Sequence, residues 1–209
     1  MRCGPRLELH LPYSGLNRMI LKLSQMDSGS SYQIPVSRTD DQHEDLNIDI
    51  PPARRASLSK YVEGYKLLPW KWVDFRMDTA KNYWITTHAS GYPSSRPVWG
   101  IWKSPVFTFS TGSLIASNIK VDPKVQLNLE SGAELVIIEG VATPLEQSDV
   151  KFWVEAYKKK YSWDMPSRTE GVWQVIPKRV LAWISDSSGL DDGASFSNSA
   201  TEWKFDAVY

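Results

Sequence analysis

At Asn82 the period of this chain changes, from helical to short apolar and aromatic segments separated by tight turns. Segments of that length between turns restrict most of the fold to paired strands. "NYWITTHA" (82–89), "SSRPVWGIWK" (94–103), "VFTFST" (106–111), "VQLNLE" (125–130) and "LVIIEGVATPL" (135–145) are rich in β-branched and aromatic residues. In "VQLNLE", Val125, Leu127 and Leu129 share one face and Gln126, Asn128 and Glu130 the other. "SGYP", "KSP" and "SGAE" supply turns, and connections this short join antiparallel neighbours. Pro97 places its strand at an edge or a bulge, since proline has no N–H for a ladder. "GVWQVIP" and "KRVLAWIS" read as two more strands, "DSSGLDDGASFSNSA" as a loop and "TEWKFD" as a last short strand. The predicted fold class is mainly β: a small β-barrel with flanking helices.

Three segments carry the helical period. Pro69 suits a first helical turn, and a helix is expected from there to about Lys81. A second is expected from a Ser113 cap to Val121, ended by "DPK". A third, "DVKFWVEAYKKKY", places Phe152, Ala156 and Lys160 on one side, and its lysine run reads as a solvated face with no partner. Residues 1–55 are polar and aperiodic, so they are expected to be a disordered extension, with order beginning near Tyr61 and the barrel domain spanning 56–209. The opening "MRCGPRLELHLPYSGLN" lacks the continuous apolar stretch of a secretory signal.

Charge and cysteine content narrow the function classes. Lys+Arg and Asp+Glu are both 24, so no general attraction to nucleic acid or to an acidic membrane surface is expected. The single cysteine, Cys3, rules out a disulfide framework and points to a cytoplasmic home. His10, His43 and His88 lack metal-ligand spacing, so no metal site is expected. His88, before a turn, reads as solvated. The 10 tryptophans all fall from Trp70 onward. They either thicken a small core, the reading composition favours, or wall a ligand site.

One stretch carries a chemical question. "FTFSTGSLIASN" (107–118) runs from a strand through a hydroxyl-rich turn into a helix, the arrangement that offers hydroxyls and free N–H groups to a phosphate. It contains no Lys or Arg.

The segments "LLPWKWVDFRMDTAKNYWITTHASGYPSSRPVWGIW", "FTFSTG", "NIKVDPKVQLNLESGAELVIIEGVA", "YKKKYSWDM" and "ATEWKF" resemble those of pyridoxamine 5'-phosphate oxidase-like proteins of the FMN-binding split-barrel type. The resemblance runs from about Leu67 to Asp206. It implies a split β-barrel and a homodimer, with FMN or, in some branches, the deazaflavin coenzyme F-420 at the subunit interface. Haem is a less favoured occupant of the same barrel. The implied cofactor-binding positions are Arg96, Pro97, Val98, Trp99, Ser110, Thr111, Ser113, Asn118 and Trp203, the last closing the groove of the partner subunit. Trp99 taken alone reads as core or dimer interface before stacking platform. Glu139 matches an acidic strand position and should form a structural ion pair. Three positions depart from the pattern. Where relatives carry Arg, Lys and Arg, this chain has Leu114, Ile115 and Ser117, so a lysine at 115 would restore the residue type of the relatives. No catalytic acid or base stands out, which suits chemistry carried by a cofactor. The resemblance implies an oxidoreductase acting on a small organic molecule. A non-catalytic flavin- or haem-binding barrel with a degenerate phosphate site is the alternative.

Overall fold

The computed structural model describes residues 48–57, 64–89, 91–112, 114–165 and 170–205, all within the compact unit His43–Tyr209. Along the chain these are β1 (Arg54–Arg55), α1 (Trp70–Thr79), β2 (Tyr83–Thr87), β3 (Ser94–Val98), β4 (Gly100–Lys103), β5 (Val106–Ser110) and α2 (Leu114–Val121). Then come β6 (Lys124–Asn128), β7 (Glu134–Pro144), α3 (Val150–Tyr161), β8 (Val172–Ile184), α4 (Ala194–Ser199) and β9 (Thr201–Lys204).

All nine strands belong to one antiparallel sheet, ordered β1-β9-β8-β7-β6-β2-β3, with a branch in which β8 also pairs β5 and β5 pairs β4. β8 is where the sheet splits. One edge of it runs along the whole of β7, while the other pairs β5 through residues 172–175 and β9 through residues 179–182. The fold is therefore mainly β, a split barrel with helices packed on it.

Two expectations about strand limits change. "GVWQVIP" and "KRVLAWIS" are one strand, because the interruption at Pro177 is absorbed by a bulge opposite Glu139 and Gly140. Gly140 makes that bulge possible: a Cβ there would lie 2.5 Å from the carbonyl oxygen of Ile176. Conversely, "SSRPVWGIWK" is two strands. Pro97 lies in β3, which pairs only β2, and the chain breaks at Trp99 so that β4 turns away to β5. The "DSSGLDDGASFSNSA" segment contains α4. Order also begins before Tyr61, since Arg54 and Arg55 pair β9 and the Ala56 amide donates to the Ala200 carbonyl at 2.9 Å.

The barrel interior holds Tyr83, Ile85, Phe107, Phe109, Leu127, Val136, Ile138, Val175 and Val180, capped by Val73 and Met77 of α1. Val125, Leu127 and Leu129 are buried as their alternation requires. Phe75, on the far side of α1, is exposed. On α3 the buried face is Val150, Trp153 and Tyr157, while Phe152 is exposed. These residues form a separate cluster with Ile101, Leu145 and Val172 on the α3 side of β4, β5 and β8. Tryptophan serves the core in four places, Trp102, Trp153, Trp173 and Trp203, and Trp102 donates its indole N–H to Asp74 at 3.1 Å. Glu139 forms the expected ion pair, with Arg179 at 3.5 Å, and Arg179 also holds the buried Glu202 at 3.2 Å. His88 is exposed. Among the described residues, no helix is long and apolar enough to cross a membrane, and no group of three or more His, Cys, Asp and Glu gathers to hold a metal.

Candidate functional site

The break at Trp99 makes a groove. β3 leaves the barrel edge, β4 turns inward, and the space between them is closed by the end of β5, the start of α2 and the last turns of α3. The groove has a volume of about 540 Å³ and is lined by Asn82, Arg96, Pro97, Val98, Trp99, Ser110, Thr111, Ile115 and Tyr157.

Gly100 sets the turn. A Cβ at this position would lie 2.2 Å from Phe107 Cζ and 2.6 Å from the Thr108 carbonyl oxygen, so only glycine permits the approach. Tyr161 then pins it from α3. Its hydroxyl accepts from the Gly100 amide at 3.0 Å and lies 2.9 Å from both the Gly100 and Lys81 carbonyls. The Trp99 ring stacks on Tyr161, with centroids 4.8 Å apart and planes 2° from parallel, and Trp163 meets it edge-on at 6.3 Å. Trp99 is thus 43% exposed on the groove lip and is not a core residue.

Behind the lip, Lys160 is half-buried, unlike its exposed neighbours Lys158 and Lys159. Its ammonium donates to the Tyr83 hydroxyl at 2.6 Å and lies 5.6 Å from the Tyr161 ring centroid. Burial lowers its pKa to about 8, with Asp78 pulling in the opposite direction. Burial raises the Tyr161 hydroxyl to about 12 and raises Tyr83 and Tyr157 as well. All three phenols are neutral near pH 7, and Tyr157, which lines the groove, brings no negative charge to it.

Six of the nine residues expected at a cofactor site, Arg96, Pro97, Val98, Trp99, Ser110 and Thr111, line this one groove. Ser113 lies outside the described residues. Asn118 faces elsewhere: it is buried, and its amide donates to the Thr87 hydroxyl at 2.9 Å, tying α2 to β2. Trp203 is 1% exposed and packs edge-on against Trp70 at 5.2 Å, so within this chain it is a core residue and lies outside the groove. Sequence reasoning missed Asn82, Ile115 as a wall and Tyr157. The signal for Tyr157 was the Trp153, Tyr157, Tyr161 spacing on α3, which puts an aromatic stripe on one helix face.

The three neutral positions at α2 differ in kind. Ile115 is 1% exposed and belongs to the main core as well as the groove floor. Leu114 is 55% exposed and Ser117 is exposed too, one turn on. Only those two positions face water, so Ile115 is not a place where a lysine would restore a surface charge. The Thr111 amide donates to the Gly171 carbonyl at 2.7 Å and is therefore not free for an anion. Gly171 has φ +76°, and a Cβ on it would lie 2.9 Å from the Thr111 carbonyl oxygen. Toward a phosphate the groove wall presents the Ser110 hydroxyl, with Arg96 as the one cation among the described groove-lining residues. Arg96 is exposed, and its Nη1 donates to the Ser95 carbonyl at 2.9 Å, which leaves the other donors of its fork available. The groove thus brings the apolar and aromatic surface of Val98, Trp99 and Tyr157 together with the Ser110 hydroxyl and the Arg96 guanidinium.

No protein-family model and no curated protein matches the chain. Solved structures do. A conserved hypothetical protein of Mycobacterium tuberculosis is similar at TM-score 0.50, with 17% identity, over 60% of this chain and 90% of that one. A putative pyridoxamine 5'-phosphate oxidase of Listeria innocua matches at TM-score 0.46, with 13% identity, over 54% of this chain and 95% of that one. A FAD-binding protein of Mesorhizobium loti matches at TM-score 0.45, with 12% identity, over 54% and 92%. At 17% identity the likeness to the Mycobacterium tuberculosis protein is one of fold alone.

Proposed function

We propose that the chain is an oxidoreductase of this fold that uses FMN, or a deazaflavin such as coenzyme F-420, to oxidise or reduce a small organic molecule. The observation that carries the reading is the convergence of Arg96, Pro97, Val98, Trp99, Ser110 and Thr111 on one groove. When bound, the cofactor supplies hydride chemistry. The protein's part is placement. Val98, Trp99 and Tyr157 offer a wall for the ring, while Arg96 with the Ser110 hydroxyl offers donors to a phosphate. The aromatic lip narrows access of water to the ring. We further propose a homodimer in the cytoplasm, with the open side of the groove covered by the second subunit. The exposed rings of Trp99 and Trp163 at the lip support such a cover.

A second reading has its own support. With Ile115 buried, and Leu114 and Ser117 neutral, the phosphate end holds a single cation among the described residues, which suits a barrel that binds a flavin or haem without turnover. One titration series separates the two. Purified protein is mixed with FMN, riboflavin, coenzyme F-420 and haem, and absorbance is followed. Any flavin complex is then reduced anaerobically and offered oxidised substrates. Binding of FMN or the deazaflavin, with substrate-dependent reoxidation, supports the oxidoreductase. Binding without reoxidation supports the carrier, and uptake of none of the four overturns both.

A further inference from the structure

One hydroxyl holds both chain segments at the mouth of the groove. β2 and β3 pair Tyr83 with Val98, and the next step of that register sets Asn82 opposite Trp99. The Tyr161 hydroxyl reaches a peptide on each side of this rung. It accepts at 3.0 Å from the Gly100 amide, which belongs to the Trp99–Gly100 peptide. Its one proton is shared between the carbonyls of Gly100 and Lys81, both 2.9 Å away, and the second of these belongs to the Lys81–Asn82 peptide. The Tyr161 ring also stacks on Trp99. Beside it on α3, Lys160 donates at 2.6 Å to the hydroxyl of Tyr83, the residue after Asn82.

Asn82 is half-buried and lines the groove, and its carboxamide has no partner among the described residues. It is the one carboxamide among the described groove-lining residues. A polar side chain left unpaired beside an aromatic surface, on backbone fixed from a neighbouring helix, is preorganised for an external partner.

We propose that Asn82 is a specificity-determining residue that reads the edge of a planar heterocycle, and that Tyr161 is the residue that positions it. A carboxamide offers an N–H donor and a C=O acceptor side by side. Its complement is a ring edge with an adjacent acceptor and donor, as in an imide or a lactam. Trp99, across the rung, offers apolar surface to the same ring. Arg96 stands three residues before Trp99, roughly 10 Å along extended chain, so a ligand whose ring edge meets Asn82 can extend an anionic end to Arg96. The assignment rests on the groove being a ring site, as proposed above.

The test uses lumiflavin, its N3-methyl derivative and phenazine. These present a tricyclic face with the imide edge intact, with its donor blocked, and without that edge. None carries a phosphate, so Arg96 does not enter. Binding is read by equilibrium dialysis and by the side-chain amide signals that disappear from the nuclear magnetic resonance spectrum in Asn82→Leu. Lumiflavin is expected to shift those signals saturably and to bind about tenfold more tightly than the other two, the worth of two ordinary neutral hydrogen bonds. Asn82→Leu should bring lumiflavin down to the level of phenazine, with phenazine binding and melting temperature unchanged. Tyr161→Phe keeps a ring against Trp99 and loses the hydroxyl. In the ligand-free variant the Gly100 amide should exchange faster with solvent, and in this background Asn82→Leu should cost lumiflavin less than half of what it costs in the parent. A merely structural role for Tyr161 would weaken all three probes alike and add to the Asn82 effect. Lumiflavin binding that matches phenazine, or that survives Asn82→Leu, overturns the proposal and leaves the groove a ring site. Additive effects overturn the role of Tyr161. Binding of none of the three probes overturns the ring site and the proposal with it. Should Tyr161→Phe not fold, Asn82→Leu and the three probes decide.

Discussion

Trp99 and Trp203 are the same residue put to opposite uses. Trp203 is 1% exposed, boxed by Trp70 and the barrel interior. Trp99 is 43% exposed, held by Tyr161 on one face and Trp163 edge-on, and it leaves its open surface to the groove. The barrel end around β8, β9 and α1 is closed over Trp203 and Phe205. The groove side is an edge that was broken at Gly100 and then fixed from outside by α3. A buried ring contributes through the area it removes from water. A ring pinned on a lip contributes little to stability and keeps a surface ready for something else.

The largest expected effect breaks the closed side. Trp203→Ala should cost about 3–5 kcal/mol through lost packing and the cavity left behind. At roughly 2–4 °C per kcal/mol for a chain of this size, the melting temperature should fall by roughly 6–20 °C. Trp99→Ala removes one stacked contact, worth about 0.5–1.5 kcal/mol, so its melting temperature should fall by only a few degrees. Calorimetry on the two variants checks the contrast. Equal losses would mean that the lip is as much a part of the core as Trp203.

How far these roles were legible in the sequence follows from what sets each one. The strands, their alternation and the antiparallel order could be read because period and turn chemistry are local. The fusion of the two segments around Pro177 could not, since it depends on a bulge facing Gly140 across the sheet. Nor could the split at Trp99, which depends on a ring, that of Phe107, occupying the space beside Gly100. At the site, six expected residues converge, whereas Trp203 and Asn118 were carried there by family position and belong to packing. Ile115 shows why: a helix that both closes a groove and plugs a core has one face for each, and a motif gives no sign of which face a position occupies. Tyr157 was written in the spacing of α3 but needed the fold to say what that face met.

The next effect sharpens the comparison on the open side alone. Arg96→Ala should leave the melting temperature unchanged, because the guanidinium is exposed and bonds only a neighbouring carbonyl. If the groove holds a phosphate, the loss of a charge-assisted bond of about 1.5–3 kcal/mol should weaken FMN by roughly ten- to a hundredfold, with little change for riboflavin. Equal losses for the two ligands would show that Arg96 meets the ring and not the phosphate. Leu114→Arg is the gain counterpart. A new cation at an exposed position should tighten FMN by up to about tenfold, again without riboflavin following. Ile115→Lys should instead fail to fold or lose several kcal/mol, as an ammonium there would be buried without a partner. A folded, tighter-binding Ile115→Lys would reverse the assignment of the two helix faces.

The smallest effect lies behind the lip, where Lys160, Tyr83 and Tyr161 meet. The lysine's folded pKa, about 8, is below its ordinary value of 10.5. Between those values the unfolded chain holds a proton that the folded chain has released, so stability should rise as pH goes from 8 toward 10. The tyrosines act in the opposite sense. Burial raises Tyr83 and Tyr161 above the ordinary 10, so above that pH the unfolded chain loses protons that the folded chain keeps, and stability should fall. The melting temperature should therefore pass through a maximum between pH 9 and 10. Lys160 and Tyr161 are partly exposed, so after solvent screening the change is about 1 kcal/mol or less, roughly 2–4 °C. Lys160→Met should flatten the rise below pH 10 and leave the fall above it. A parent curve that declines steadily from pH 7 to 11 would show that the ammonium is solvated, and that the Lys160–Tyr83 contact does not fasten α3 behind the groove.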